Sequence, residues 1–158
     1  MRRRPSNADE YHHASQQLPS DWNKRNVVIL GASNFRKVAY DHSKDVCVLF
    51  YAPWCEYSRE LEVIFDKLGK MYRERSDVVI AKFDGSVNEL PILITGYPTV
   101  KLFRKGDNQV FDYTGSRTLG GLVDFIDFID FTGGEGRSEL SVQNSTHSRR
   151  KGCRCVIL

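Results

Sequence analysis

Residues 46–65 read VCVLFYAPWCEYSRELEVIF, and a change of period inside this stretch decides the fold. Val46 to Tyr51 is a continuous apolar run, which suits a strand buried on both faces, as in a parallel sheet. Ala52, Pro53 and Trp54 interrupt it. From Cys55 to Tyr72 the apolar residues Leu61, Ile64, Phe65, Leu68 and Tyr72 recur at helical spacing, with charges between them. A buried strand therefore feeds a long helix through a tight turn, and Cys55 stands where the helix begins.

That position has chemical meaning. The unpaired N–H groups and the dipole of a helix N-terminus favour a thiolate over a thiol, and the thiolate is the attacking species in disulfide exchange. Arg59, one turn on, adds positive charge, while Glu56 acts the other way. Trp54 would shelter one side of the sulfur and offer an apolar surface. Taken without its neighbours, a cysteine at such a turn reads equally well as core filling. Cys47 is expected to be core filling: Tyr51 alone lies about 13 Å farther along the strand at about 3.3 Å per residue, too far for Cys47 to serve Cys55.

Outward from this unit, strand and helix alternate. Val27 to Leu30 reads as a strand, and Ser33 or Asn34 caps a helix through Tyr40. Val78 to Phe83 is a second buried strand. Residues 88–95 are apolar but contain Pro91, so any helix there is short or broken. Thr99 to Arg104 and Val110 to Tyr113 are strands joined by a turn at Gly106, Asp107 and Asn108. Thr118 to Phe131 is a final helix. This order predicts an α/β fold with a central mixed β-sheet flanked by helices on both faces. Residues 1–23 are polar and read as a flexible N-terminal arm, 24–131 as the domain, and 132–158 as a disordered basic tail.

Composition bounds the function. The chain has 158 residues and a formal net charge of +3, which reads as solubility. Lys and Arg do not cluster into a basic face for nucleic acid, so no nucleic-acid partner is expected. No apolar run is long enough to span a membrane. MRRRP at the start is followed by polar residues with no apolar core, so no signal peptide is read; the chain either starts in the cytosol or is a piece or isoform of a longer one. The four cysteines, Cys47, Cys55, Cys153 and Cys155, do not form a paired framework. The pair at 153 and 155 lacks further ligands nearby, so no metal is expected, nor any cofactor.

YAPWCEYS resembles the active-site turn of the protein disulfide isomerase family, where two cysteines are separated by two residues. LPSDWNKRNVVILGASNF, from Leu18, resembles the lead-in to that family's C-terminal catalytic domain. VVIAKFD resembles the strand after the long helix, GYPTVKLF the segment bearing the family's cis-proline, and FDYTGSRTLGGLVDFI the closing strand and helix. The resemblance covers about residues 17–131 and implies a thioredoxin fold. It further implies that Pro98 is cis and faces Cys55, that the Cys55 sulfur is reachable by solvent, and that the backbone of Tyr97 pairs with an extended client strand. Trp54, Tyr57, Tyr97 and Pro98 would then form the client-binding surface, and Arg117 would tune the catalytic Cys55. The plain alternative for Arg117 is a surface charge at the start of the last helix.

Three departures matter. Ser58 stands where the family has its second cysteine, Glu56 and Tyr57 replace a glycine and a histidine, and Leu49 replaces a buried carboxylate. Ser58 can donate a hydrogen bond to the Cys55 thiolate but cannot close a disulfide, so oxidase activity should be small. Cys55 can still attack a client disulfide and be released by another thiol, which permits weak isomerase activity on cysteine-containing proteins or peptides. Leu49 leaves Lys82 without the family's partner, and Lys82 is expected to snorkel outward.

The residues 155–158, CVIL, fit the prenylation rule with a geranylgeranyl preference at Cys155. Cys153 could carry a second lipid, and Arg149, Arg150, Lys151 and Arg154 supply a basic patch, a combination suited to membrane anchoring. Chance is the alternative. Asn144-Ser145-Thr146 is a glycosylation sequon; glycosylation is lumenal and prenylation cytosolic, so one molecule does not carry both, and because sequons are short and frequent Asn144 is expected to be unused. The resemblance implies the endoplasmic reticulum lumen, while the missing signal and the CVIL end imply a cytosolic membrane face. Two functions stand: a disulfide-exchange domain of single-cysteine type, and a non-catalytic chaperone or adaptor anchored by lipid.

Overall fold

A computed structural model describes residues 15–132 and the pair 155–156. The elements are β1 (Val28–Leu30), α1 (Phe35–Ala39), β2 (Asp45–Tyr51), α2 (Glu56–Tyr72), β3 (Val78–Asp84), β4 (Gly96–Tyr97), β5 (Thr99–Phe103), β6 (Val110–Asp112), α3 (Leu119–Thr132) and β7 (Cys155–Val156). Five strands form one sheet in the order β1-β3-β2-β5-β6. β1 and β2 run parallel to β3 on either side of it, while β5 is antiparallel to both β2 and β6. The mixed sheet follows from the connections. A helix between β1 and β2 and another between β2 and β3 permit parallel neighbours, while the short turn at 106–108 forces an antiparallel pair.

β2 is the axis of the molecule. Its residues alternate between two apolar clusters, one per face of the sheet, as a period of two requires. Cys47 and Leu49 join Leu61, Phe65 and Leu68 of α2 and Leu122, Ile126 and Ile129 of α3. Val46, Val48 and Phe50 join Phe35 and Ala39 of α1 with Phe83 and Phe103. The Phe35 ring meets those of Phe50, Phe83 and Phe103 at 5.6–6.0 Å, two of the three edge-on. Helices thus cover both faces, as the alternation of elements predicts.

Segment 88–95 forms no helix, in keeping with Pro91. Within the expected N-terminal arm, the part from residue 15 is tied to the domain: Gln16 N–H donates to Asn88 Oδ1 at 2.7 Å, and Ile29 N–H to the Trp22 carbonyl at 3.0 Å. The rest of that arm, residues 1–14, lies outside the described residues. Of the expected tail, 132–158, Thr132 ends α3 and 155–156 pair as a strand with β4, and the rest lies outside the described residues.

Candidate functional site

The site lies past the carboxyl end of β2, where the chain turns into α2. Cys55 is the N-cap of α2, with φ −89° and ψ 119°. Those extended dihedrals suit a residue that is half in the helix. The turn is closed by Cys55 N–H donating to the Ala52 carbonyl at 3.0 Å, and α2 starts with Arg59 N–H donating to the Cys55 carbonyl at 3.1 Å. The Cys55 Sγ lies 3.9 Å from the carbonyl oxygen of Tyr97, which accepts from the thiol. The Tyr97–Pro98 peptide bond is cis. The juxtaposition expected between residues 55, 97 and 98 is therefore present.

Accessibility differs from expectation. Cys55 is 1 % exposed. Its sulfur belongs to the apolar cluster on the α1 face, with Ala52, Ile94 and Tyr97, and Tyr57, Leu90 and Ile92 at its edge. Ile94 of the irregular segment 88–95 belongs to that cluster and Leu90 and Ile92 pack against it, and the sulfur is buried rather than open.

Ser58 is buried one turn below Cys55, and its Oγ accepts the Ala52 N–H at 3.3 Å. The hydroxyl thus braces the turn that carries the cysteine. Trp54 projects from the same turn at 61 % exposure and stands edge-on to the Tyr97 ring, centroids 6.2 Å apart. Arg117 is exposed, and its guanidinium lies over the Tyr57 ring at 5.5 Å. A shallow groove of about 130 Å³ beside Pro98 is lined by Leu61, Val100, Tyr113 and Arg117. Trp54, Tyr57, Tyr97, Pro98 and Arg117 therefore surround the turn.

Two residues not singled out in the sequence also shape the site. Gly85 seats Tyr97: a Cβ added there would lie 2.0 Å from the Tyr97 hydroxyl oxygen. Glu62 corrects the expectation for Lys82. Instead of lacking a partner, Lys82 Nζ lies 3.1 Å from Glu62 Oε1 and 5.5 Å from the Tyr51 ring centroid. Leu49 and Lys82 are register partners on β2 and β3, so their side chains share the face covered by α2, and the helix supplies the carboxylate that β2 lacks. The available signal was Glu62 itself, a charge four residues after Ser58 beside the apolar stripe of α2. Cys47 is fully buried, and burial pushes its thiol up to about 12, so it is inert filling. Among the described residues no group of three or more candidate side chains could hold a metal ion, and no helix is long and apolar enough to cross a membrane.

A family model described as Thioredoxin matches residues 26–128, which takes in every element of the five-stranded sheet and α2. The chain belongs to the thioredoxin family. Within it, this thioredoxin domain is similar to protein disulfide isomerases. It is 49% identical over 116 residues to the protein disulfide-isomerase of Drosophila melanogaster, covering 73% of this chain and 23% of that one. The rabbit (Oryctolagus cuniculus) protein is 45% identical over 117 residues, with the same coverage. The chain thus spans about a quarter of the curated relatives it matches. Among solved structures, the zinc-bound form of human ERp44 superposes with a TM-score of 0.57 at 29% identity, over 65% of this chain and 31% of that one.

Proposed function

We propose that this thioredoxin domain acts in protein folding by thiol–disulfide exchange through one sulfur, that of Cys55. The observation that carries the reading is the placement of Cys55 at the N-cap of α2 with its sulfur 3.9 Å from the carbonyl of Tyr97, on the short strand β4. The Cys55 thiolate attacks a client disulfide. One client sulfur joins Cys55, and the other leaves with the electron pair and takes up a proton. Trp54, Tyr57, Tyr97 and Pro98 form the client surface, and Arg117 brings a cation to the ring beside the first turn of α2. Ser58 has no sulfur to release the adduct, so isomerase activity is weak and oxidase activity small.

Burial of Cys55 favours a second reading, a chaperone or adaptor that binds clients without exchanging disulfides. Membrane anchoring through Cys155 and Cys153 belongs with it. Refolding of scrambled ribonuclease decides between the two. The wild-type chain should accelerate refolding and Cys55→Ala should not; equal rates would leave only the binding module.

A further inference from the structure

The exchange reading lacks a group to release Cys55 from a mixed disulfide, since Ser58 occupies the usual place. β7 supplies a candidate. Cys155 and Val156 pair antiparallel with β4, in the register Gly96 to Val156 and Tyr97 to Cys155. β4 is only two residues long and stands apart from the five-stranded sheet. Tyr97 is also the residue whose carbonyl lies 3.9 Å from the Cys55 sulfur. Facing residues of an antiparallel pair have Cα atoms about 4.5–5.5 Å apart. A cysteine registered against Tyr97 therefore sits beside the residue that touches the nucleophile, on the edge a client strand would use.

We propose that Cys155 is the resolving partner of Cys55, presented on β7 as an intrachain client strand. Once Cys55 is joined to a client sulfur, the Cys155 thiolate attacks the Cys55 sulfur. The Cys55–Cys155 bond forms and the client–Cys55 bond breaks. The client sulfur leaves with the electron pair and takes up a proton. The client is reduced by two electrons and this chain is oxidised by two. A small-molecule disulfide produces the same oxidised chain in two such exchanges, releasing two thiols. Tethering makes the second attack intramolecular, with the high effective concentration that follows. The assignment rests on Cys55 being the exchanging sulfur, and it is incompatible with a prenyl thioether on Cys155.

The test uses the full 158-residue chain, reduced, treated with oxidised glutathione, alkylated, and digested without reduction for mass spectrometry. Wild type should give a Cys55–Cys155 cross-link and only a brief glutathione adduct on Cys55. In Cys155→Ser the link disappears and the adduct should persist about ten-fold longer or more, as loss of an intramolecular attacker requires. Val156→Pro keeps the sulfur but removes an N–H from the strand, and it should slow the cross-link by a similar factor. Linkage of Cys55 to Cys47 or Cys153 instead, or an adduct lifetime indifferent to Cys155, overturns the assignment and leaves the exchange reading standing. If Cys55 takes up glutathione in neither wild type nor Cys155→Ser, the exchange reading itself falls.

Discussion

Position 58 sets how far the chemistry can run. Its hydroxyl accepts the Ala52 N–H and braces the turn, while a sulfur there would stand one helical turn from Cys55, with Cβ atoms about 5–6 Å apart at this spacing. Ser58→Cys in a Cys155→Ser background should therefore restore an intrachain disulfide on treatment with oxidised glutathione, read as loss of two alkylatable thiols; retention of both would mean that the turn cannot close. Gly85 acts on the other wall. A Cβ would meet Cζ of the buried Tyr97 ring at 2.6 Å as well as its hydroxyl, and a rigid ring can yield only by leaving its seat. Gly85→Ala should cost about 1–3 kcal/mol in urea unfolding, typical of overpacking. The released ring should leave the Cys55 thiol labelling faster with a maleimide. Unchanged stability and labelling would show that the ring has room to swing.

Among the elements, the strand-to-helix unit of β2 and α2 was readable because its two periods are unambiguous: six consecutive apolar residues, then Leu61, Phe65 and Leu68 on one stripe. The cap at Cys55 and the burial of Cys47 followed from the same reading. Pairings across elements were not readable. No local pattern ties Glu62 to Lys82, because the pair exists only once α2 lies over the face shared by Leu49 and Lys82. β4 and β7, two residues each, are too short for any periodicity to register. Segment 88–95, which brings Ile94 into the cluster that holds Cys55, follows an irregular path that no spacing rule describes. Glu62→Gln tests the cross-element pair. Both groups are about a quarter exposed, so the loss should be modest, about 0.5–1 kcal/mol by chemical denaturation. Glu62→Gln combined with Lys82→Met should recover part of it by removing the stranded ammonium; a double variant no better than the single one would assign the cost to α2 alone.

For the whole molecule, stability and chemistry sit at opposite ends of β2, which at about 3.3 Å per residue spans roughly 20 Å. At its start, Arg75 bonds Asp77 at 2.7 Å and Asp130 at 2.9 Å, and Lys105 reaches Asp77, Asp130 and the buried Asp45. Tyr72 adds a 2.8 Å hydrogen bond to Asp127. One cluster thus joins the end of α2, the start of β3, the loop after β5 and the last turns of α3. Arg75 and Lys105 hold the Asp77 carboxyl at about 2, against an ordinary 3.8, and the same two cations lower Asp130. A carboxylate whose folded pKa is depressed contributes stability above its unfolded value and loses it as pH falls through the folded one. The melting temperature should therefore fall as pH drops from about 4 toward about 2, while changing little on this account above pH 5. Asp77→Asn with Asp130→Asn should lower the melting temperature at neutral pH and flatten that acid decline, because the protons that would bind in the unfolded state have lost their sites. Thiol reactivity of Cys55 in the fraction still folded should match the parent chain, since the cluster lies a full strand length from the sulfur. An acid decline equally steep in the double variant would move the acid-sensitive groups elsewhere in the fold.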